Sequence, residues 1–192
     1  MIHHCHELGY ETSANLMAVS NITESEIDTV LASIRPTPAG TMCIVDSFGH
    51  LYREQIDMLY NKYTEALEGT GKEIGIHAHN NMQLAFANTL EAIILGANRA
   101  DATMAGLGRG AGNCPMEILL GFLRNPKFKL RPIIKLLQDY ISPLRDTVEW
   151  GPLLAFNLTG QMNLHPRAAI KFRTTADKDD YVKFYDELIA DI

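Results

Sequence analysis

Four apolar stretches in this chain are each followed by a stretch with helical spacing, and the unit repeats at intervals of roughly 30 residues. That rhythm is what most restricts the fold. Strands joined by crossovers long enough to hold a helix run parallel, so the pattern predicts an α/β sheet wound from consecutive βα units. Strands are expected over residues 10–19, 41–45, 73–79 and 99–104. Thr23 followed by Glu26 forms a capping box ahead of a helix over Glu24–Ile34, whose Ile27, Val30, Leu31 and Ile34 recur at helical spacing. Further helices are expected over 55–67 and 83–95, with Gly96 placed to end the second, and from Pro115 to Leu123. After Asn125-Pro126 the alternation stops. Helices are expected over 130–144 and 180–189, with a Gly/Pro/Asn-containing connector between them. The expected organisation is therefore residues 1–125 as βα units and residues 126–192 as a helical extension.

Composition narrows the class of protein. Hydrophobic residues make up 46% and charged residues 21% of the 192, an ordinary globular balance. A net charge of −6 gives no electrostatic footprint for nucleic acid. No apolar run approaches the roughly 20 residues of a membrane span, and the first residues lack the basic and apolar regions of a secretory signal. Cys5, Cys43 and Cys114 are scattered and odd in number, which favours a reducing cytoplasm. Met1 to Leu8 reads as the tail of a helix rather than the start of a domain.

The third strand carries His77 and His79 near its carboxyl end. Side chains alternate along a strand, so both imidazoles share one face while Ile74, Ile76 and Ala78 take the other. Two readings are open, a pair of metal ligands or two structural imidazoles. The strand-end location and the following Asn80, able to orient ligands, favour the first.

The fourth strand leads into the loop Gly106-Leu107-Gly108-Arg109-Gly110-Ala111-Gly112-Asn113. Its GxGxxA spacing is not the dinucleotide fingerprint, because no acidic residue closing a second strand lies about 20 positions on. The glycines let backbone approach a ligand closely and Asn113 can offer its amide oxygen; the alternative is a plain βα turn. Asp46-Ser47 ends the second strand, and Ser47 is placed either to donate to a substrate carboxylate or to cap a turn. His3, His4, Cys5 and His6 lack ligand spacing and read as a solvated helix tail.

The run IGIHAHNNMQLAFANTLEAIILGANRADATMAGLGRGAGNCPMEIL, with ELGYETSANLMAVSNIT and IVDSFGHL before it, closely resembles the 4-hydroxy-2-oxovalerate aldolases. These are metallolyase TIM barrels of the superfamily that also contains 3-hydroxy-3-methylglutaryl-CoA lyase and isopropylmalate synthase. The resemblance covers about residues 7–123 and is carried by the HxH strand and the GxGxxxGN loop one βα unit later. It implies strands five to eight of a (β/α)8 barrel. It also implies His77 and His79 as ligands of Mn²⁺ or Mg²⁺, Asn113 as a weaker ligand, and Ser47, beside Asp46, at the carboxylate of a 2-keto acid. The implied reaction is cleavage of a 4-hydroxy-2-oxo acid to pyruvate and an aldehyde.

The same resemblance marks what this sequence does not match. The family's Arg-Asp-Gly motif, which brings a ligand aspartate beside the catalytic arginine and base, has no counterpart here. Leu144-Arg145-Asp146 is followed by Thr147 and sits after the last strand, and Phe156 stands where the family's C-terminal tyrosine is sought. The expectation is of a truncated aldolase, inactive alone, or of a half-barrel completed by a partner. The alternatives carried forward are a Claisen-type acyl-CoA synthase or lyase and a non-catalytic remnant. A homo-oligomer or an aldehyde dehydrogenase is the implied protein partner, and the aldehyde itself is not specified by the residues present.

Overall fold

The computed structural model describes residues 1–190; Asp191 and Ile192, the last two positions of the expected 126–192 extension, lie outside the described residues. The chain divides into two compact units. The first comprises Met1–Ser47, Leu51–Ala78 and Ala87–Asp101; the second comprises Phe48–His50, His79–Phe86 and the chain from Ala102 onward.

The first unit is built on four parallel strands in sequential order, β1 (Ser13–Leu16), β2 (Thr41–Asp46), β3 (Glu73–Ala78) and β4 (Arg99–Ala100). Helix α1 (Ile2–Glu7) precedes them, and α2 (Glu24–Ile34), α3 (Arg53–Leu67) and α4 (Ala85–Leu95) follow successive strands. This is the α/β arrangement of consecutive βα units expected of a partial barrel. Helix α2 starts as its sequence dictates: Thr23 Oγ1 accepts from the Glu26 amide at 3.3 Å, and Glu26 Oε2 accepts from the Thr23 amide at 2.8 Å. One sheet face carries Met42, Ile44, Ile74 and Ile76, all buried. Ile27 and Leu31 of α2 and Ile56, Leu59, Tyr63 and Leu67 of α3 are buried too, as expected where crossover helices cover a parallel sheet. Each such side chain contributes about 1.5–3 kcal/mol on burial.

The opposite face is more polar. Val45 pairs in register with His77, and Cys43 with Gly75. A Cβ on Gly75 would lie 2.5 Å from Cys43 Sγ, so the thiol occupies the space a side chain would fill. Burial pushes the Cys43 thiol up to about 11, with nearby Asp101 adding to the rise and Arg99 opposing it. It therefore stays protonated near neutrality and is no nucleophile.

The regular structure of the second unit is helical, joined by loops and turns. It contains α5 (Met116–Leu123), α6 (Leu130–Leu136), a π-helical turn (Leu137–Ile141) that runs on into α7 (Ser142–Leu144), then α8 (Leu154–Gln161), α9 (Arg167–Arg173) and α10 (Tyr181–Ala190). Its core gathers Ala111, Ala155, Phe156, Leu158, Ala169, Phe172, Phe184 and Leu188. The Phe172 and Phe184 rings stack 4.3 Å apart at 9°. Arg173 ties the segment between α9 and α10, donating to Glu149 Oε2 at 2.7 Å, the Lys178 carbonyl at 2.7 Å and Asp179 Oδ1 at 2.8 Å.

Three expectations are corrected. The strand expected over 10–19 is only Ser13–Leu16, because the chain then passes through a left-handed Ala18 (φ 53°) into a 3₁₀ turn. The strand expected over 99–104 ends at Ala100: the Thr103 amide and carbonyl bond instead with the Cys114 carbonyl and the Met116 amide, at 3.0 and 2.8 Å. The expected connector between residues 145 and 179 contains helices α8 and α9, which their packed apolar side chains stabilise despite the nearby Gly, Pro and Asn.

Candidate metal and substrate site

Asp46, Ser47 and His77 of the first unit lie at the carboxyl ends of β2 and β3, where α/β folds place their sites. In the first unit, Asp46 closes β2 and is 1% exposed; its Oδ2 accepts from the Leu51 amide at 3.1 Å, fixing the turn ahead of α3. Ser47 is also buried, and its Oγ accepts from the Ala18 amide at 2.8 Å. That bond ties the end of β2 to the loop after β1.

His77 lies on the polar face of β3. Its Nδ1 is 3.0 Å from Asp101 Oδ2, with the two side chains 28% and 48% exposed. Sequence reasoning overlooked Asp101. No local signal pointed to it, since its place beside His77 comes from the register of β3 and β4. A cavity of about 500 Å³, bordered by Tyr10, Thr12, Thr41, Glu73 and Arg99, opens at the amino ends of the strands instead, away from His77.

In the second unit, His79 forms an isolated antiparallel bridge with Asn113, and the Asn80 amide donates to the Gly112 carbonyl at 2.9 Å. Asn80 Oδ1 accepts from the Ala85 amide at 3.2 Å, so its side chain caps the approach to α4. The glycine loop folds around Asn113. Gly106, Gly110 and Gly112 have φ of 63°, 60° and 80°, and the Asn113 amide donates to the Gly106 carbonyl at 3.0 Å. A Cβ on Gly112 would strike the Gly106 carbonyl, and one on Gly108 would strike the Asn113 side-chain amide. The glycines are thus required by the loop's own closure about Asn113. Asn113 is 8% exposed, and its Nδ2 donates to the Leu107 carbonyl at 3.2 Å. Its Oδ1 is buried without a hydrogen-bond partner. An orphaned buried acceptor costs about 1–3 kcal/mol, so this oxygen suits a cation or donor that the protein itself does not supply.

Other sequence features have structural roles. Helix α1, with His3, His4, Cys5 and His6, buries none of its residues, and His4 Nδ1 lies 3.7 Å from Glu7. Arg145 stacks 4.3 Å over the Trp150 ring, whose indole N–H donates to the Ala105 carbonyl at 3.0 Å. Phe156 is buried against Gly110, and its carbonyl accepts from Asn81 Nδ2 at 3.2 Å. Burial, aided by Arg109 and Arg167, lowers the His165 imidazole below its usual range. Among the described residues no group of three or more His, Cys, Asp or Glu side chains gathers to hold a metal, no disulfide forms, and no helix is long and apolar enough to cross a membrane.

The HMGL-like family matches residues 1–138. The chain belongs to the HMGL-like family. It is 30% identical over 149 residues to a 4-hydroxy-2-oxovalerate aldolase of Marinomonas sp. (strain MWYL1), covering 76% of this chain and 44% of that protein. It is 44% identical over 112 residues to 4-hydroxy-2-oxovalerate aldolase 1 of Dechloromonas aromatica (strain RCB), covering 56% of this chain and 32% of that one. The chain thus spans less than half the length of these relatives. Among solved structures, the N-terminal domain of a proposed aldolase from Bacteroides vulgatus superposes with a TM-score of 0.71 at 27% identity, covering 92% of this chain and 59% of that one. The carboxyl transferase domain of Rhizobium etli pyruvate carboxylase, with oxalate, superposes with a TM-score of 0.68 at 18% identity, covering 95% and 34%, which is a likeness of fold alone.

Proposed function

We propose that this chain carries the histidine half of the site of a divalent-metal-dependent aldolase that cleaves a 4-hydroxy-2-oxo acid to pyruvate and an aldehyde. The observation that carries this reading is the buried, orphaned Oδ1 of Asn113, in a loop the glycines close around it. The names of the curated relatives agree with it. His77 and His79 are the proposed nitrogen ligands and Asn113 the weaker oxygen ligand. Imidazole and amide oxygen are donors that Mn²⁺ accepts and that suit Mg²⁺ less well. When bound, the ion would supply Lewis-acid stabilisation of the negative charge that develops on the pyruvate fragment.

The protein's own groups hold and orient. Ser47, on the turn that Asp46 locks, is proposed to donate its hydroxyl proton to the substrate carboxylate. Asn113 offers a buried acceptor oxygen with no hydrogen-bond partner. Phe156, apolar and buried, supplies no proton in the region where the family's tyrosine is sought. The base that takes the 4-hydroxyl proton is not assigned to any residue here. The substrate class is a small 2-keto acid, and an aldehyde dehydrogenase receiving the product belongs to the same proposal.

Titration of the full chain with Mn²⁺, followed by the loss of the free-ion EPR signal, tests the ligand set. His77→Ala and His79→Ala are each expected to weaken binding at least about tenfold. Unchanged affinity in both variants overturns the reading. Pyruvate release from 4-hydroxy-2-oxovalerate, measured with and without Mn²⁺, then tests the reaction.

A further inference from the structure

We propose that Asp101 is a positioning residue: its carboxylate accepts the Nδ1–H of His77, fixes the ring's tautomer and rotation, and so makes Nε2 the nitrogen offered to a metal ion. The inference rests on the reading of His77 as a ligand, but its structural core does not. The parallel ladder pairs Gly75 with Arg99 and Ile76 with Ala100. One step further along the same register brings His77 beside Asp101. The Asp101 amide donates to the Ile76 carbonyl at 2.9 Å, which holds that register beyond the last paired residues of β4. Two side chains on one sheet face are thereby brought together by backbone hydrogen bonds rather than by chance of rotamer.

The chemistry of the contact sets its direction. An ionised carboxylate has no hydrogen to give, so across the 3.0 Å between Nδ1 and Oδ2 the imidazole must be the donor. In the neutral ring the lone pair then sits on Nε2. Ligating histidines are commonly held this way, by a carboxylate on the second ring nitrogen, and losing that partner typically weakens metal binding 10–100-fold. The competing account is a surface ion pair between carboxylate and imidazolium, which would contribute little at this exposure. The two accounts differ at a pH where histidine is neutral. The positioning role persists there as a fixed tautomer, and the ion pair vanishes.

The test uses the full chain labelled with ¹⁵N in its histidines, metal-free, at about pH 8.5, where an ordinary imidazole near 6.5 is neutral. Long-range ¹H–¹⁵N correlations are expected to report His77 as the Nδ1–H tautomer. Asp101→Ala should shift it toward the Nε2–H form. Asp101→Asn should preserve Nδ1–H, because an amide oxygen can still accept. In the Mn²⁺ titration, Asp101→Ala should bind about 10–100-fold more weakly and Asp101→Asn should recover most of that loss. Finding His77 as Nε2–H in the parent chain, or unchanged in Asp101→Ala, overturns the proposal. If the tautomer depends on Asp101 but His77→Ala leaves Mn²⁺ affinity unchanged, the ligand reading falls and the positioning of the ring by Asp101 stands. Asp101 is about half exposed, so a thermal melt of Asp101→Ala near that of the parent confirms that both readouts report on the site.

Discussion

The sheet unit and the helical unit reach order by different means. In the first, position follows from repetition. β2 is apolar from Met42 to Val45 and β3 alternates, the helices between them carry apolar faces, and the ladder sets each residue's neighbour. In the second, position also follows from individual contacts: the Trp150 indole on the Ala105 carbonyl, Asn81 on the Phe156 carbonyl, Gly112 against the Gly106 carbonyl, and Arg173 among acceptors on Glu149, Lys178, Asp179 and Tyr181. A repetitive structure spreads its stability over many similar side chains. A contact-built one draws part of it from specific hydrogen bonds and close backbone approaches.

Three substitutions sharpen or break this contrast. The largest effect is expected in the sheet unit, where Ile44→Ala empties a fully buried position and should cost about 3–4 kcal/mol in urea denaturation. A loss below about 1 kcal/mol would show that the sheet is loosely packed. Gly112→Ala comes next. It combines a backbone at φ 80° with a Cβ that meets a fixed carbonyl, and a cost of about 2–3 kcal/mol is expected. Near-parent stability would mean that the loop has slack and that Asn113 is not held as described. The smallest effect is that of Arg173→Met, about 1 kcal/mol after allowing for solvent screening at the half-exposed Glu149. Hydrogen bonds from Arg173 hold the Glu149 and Asp179 carboxyls below the ordinary carboxylate range. A depressed folded-state value means that this contribution is complete above about pH 4.5 and fades as pH falls through the folded values. The gap between parent and variant should therefore close in acid, and a gap that persists at pH 2.5 would assign the effect to packing of the arginine stem.

The same contrast explains what could be read from sequence. Helix Glu24–Ile34 matches its expectation residue for residue, because a capping box and a 3.6-residue period are local signals. Strands β2 and β3 were legible for the same reason. Helices α8 and α9 were not: Leu154–Gln161 and Arg167–Arg173 are short, and flanking Gly, Pro and Asn mask a stability that comes from Phe156, Phe172 and Phe184. At the site, the placement of His77 at a strand end followed from alternation, but Asp101 did not. The fourth strand was expected to run on to residue 104, and nothing local shows that the chain departs for Cys114 and Met116 after the register has set Asp101 beside His77. The orphaned oxygen of Asn113 was beyond any sequence signal, since it depends on what the closed loop fails to offer it.

The pairing of Gly75 with Cys43 means that the two strands share a single side-chain volume at that level of the sheet. Bulk added at Gly75 must be given up at Cys43. Gly75→Ala should be poorly tolerated by itself and relieved by Cys43→Gly, so the two positions would drift together over evolutionary time while their summed size stayed constant.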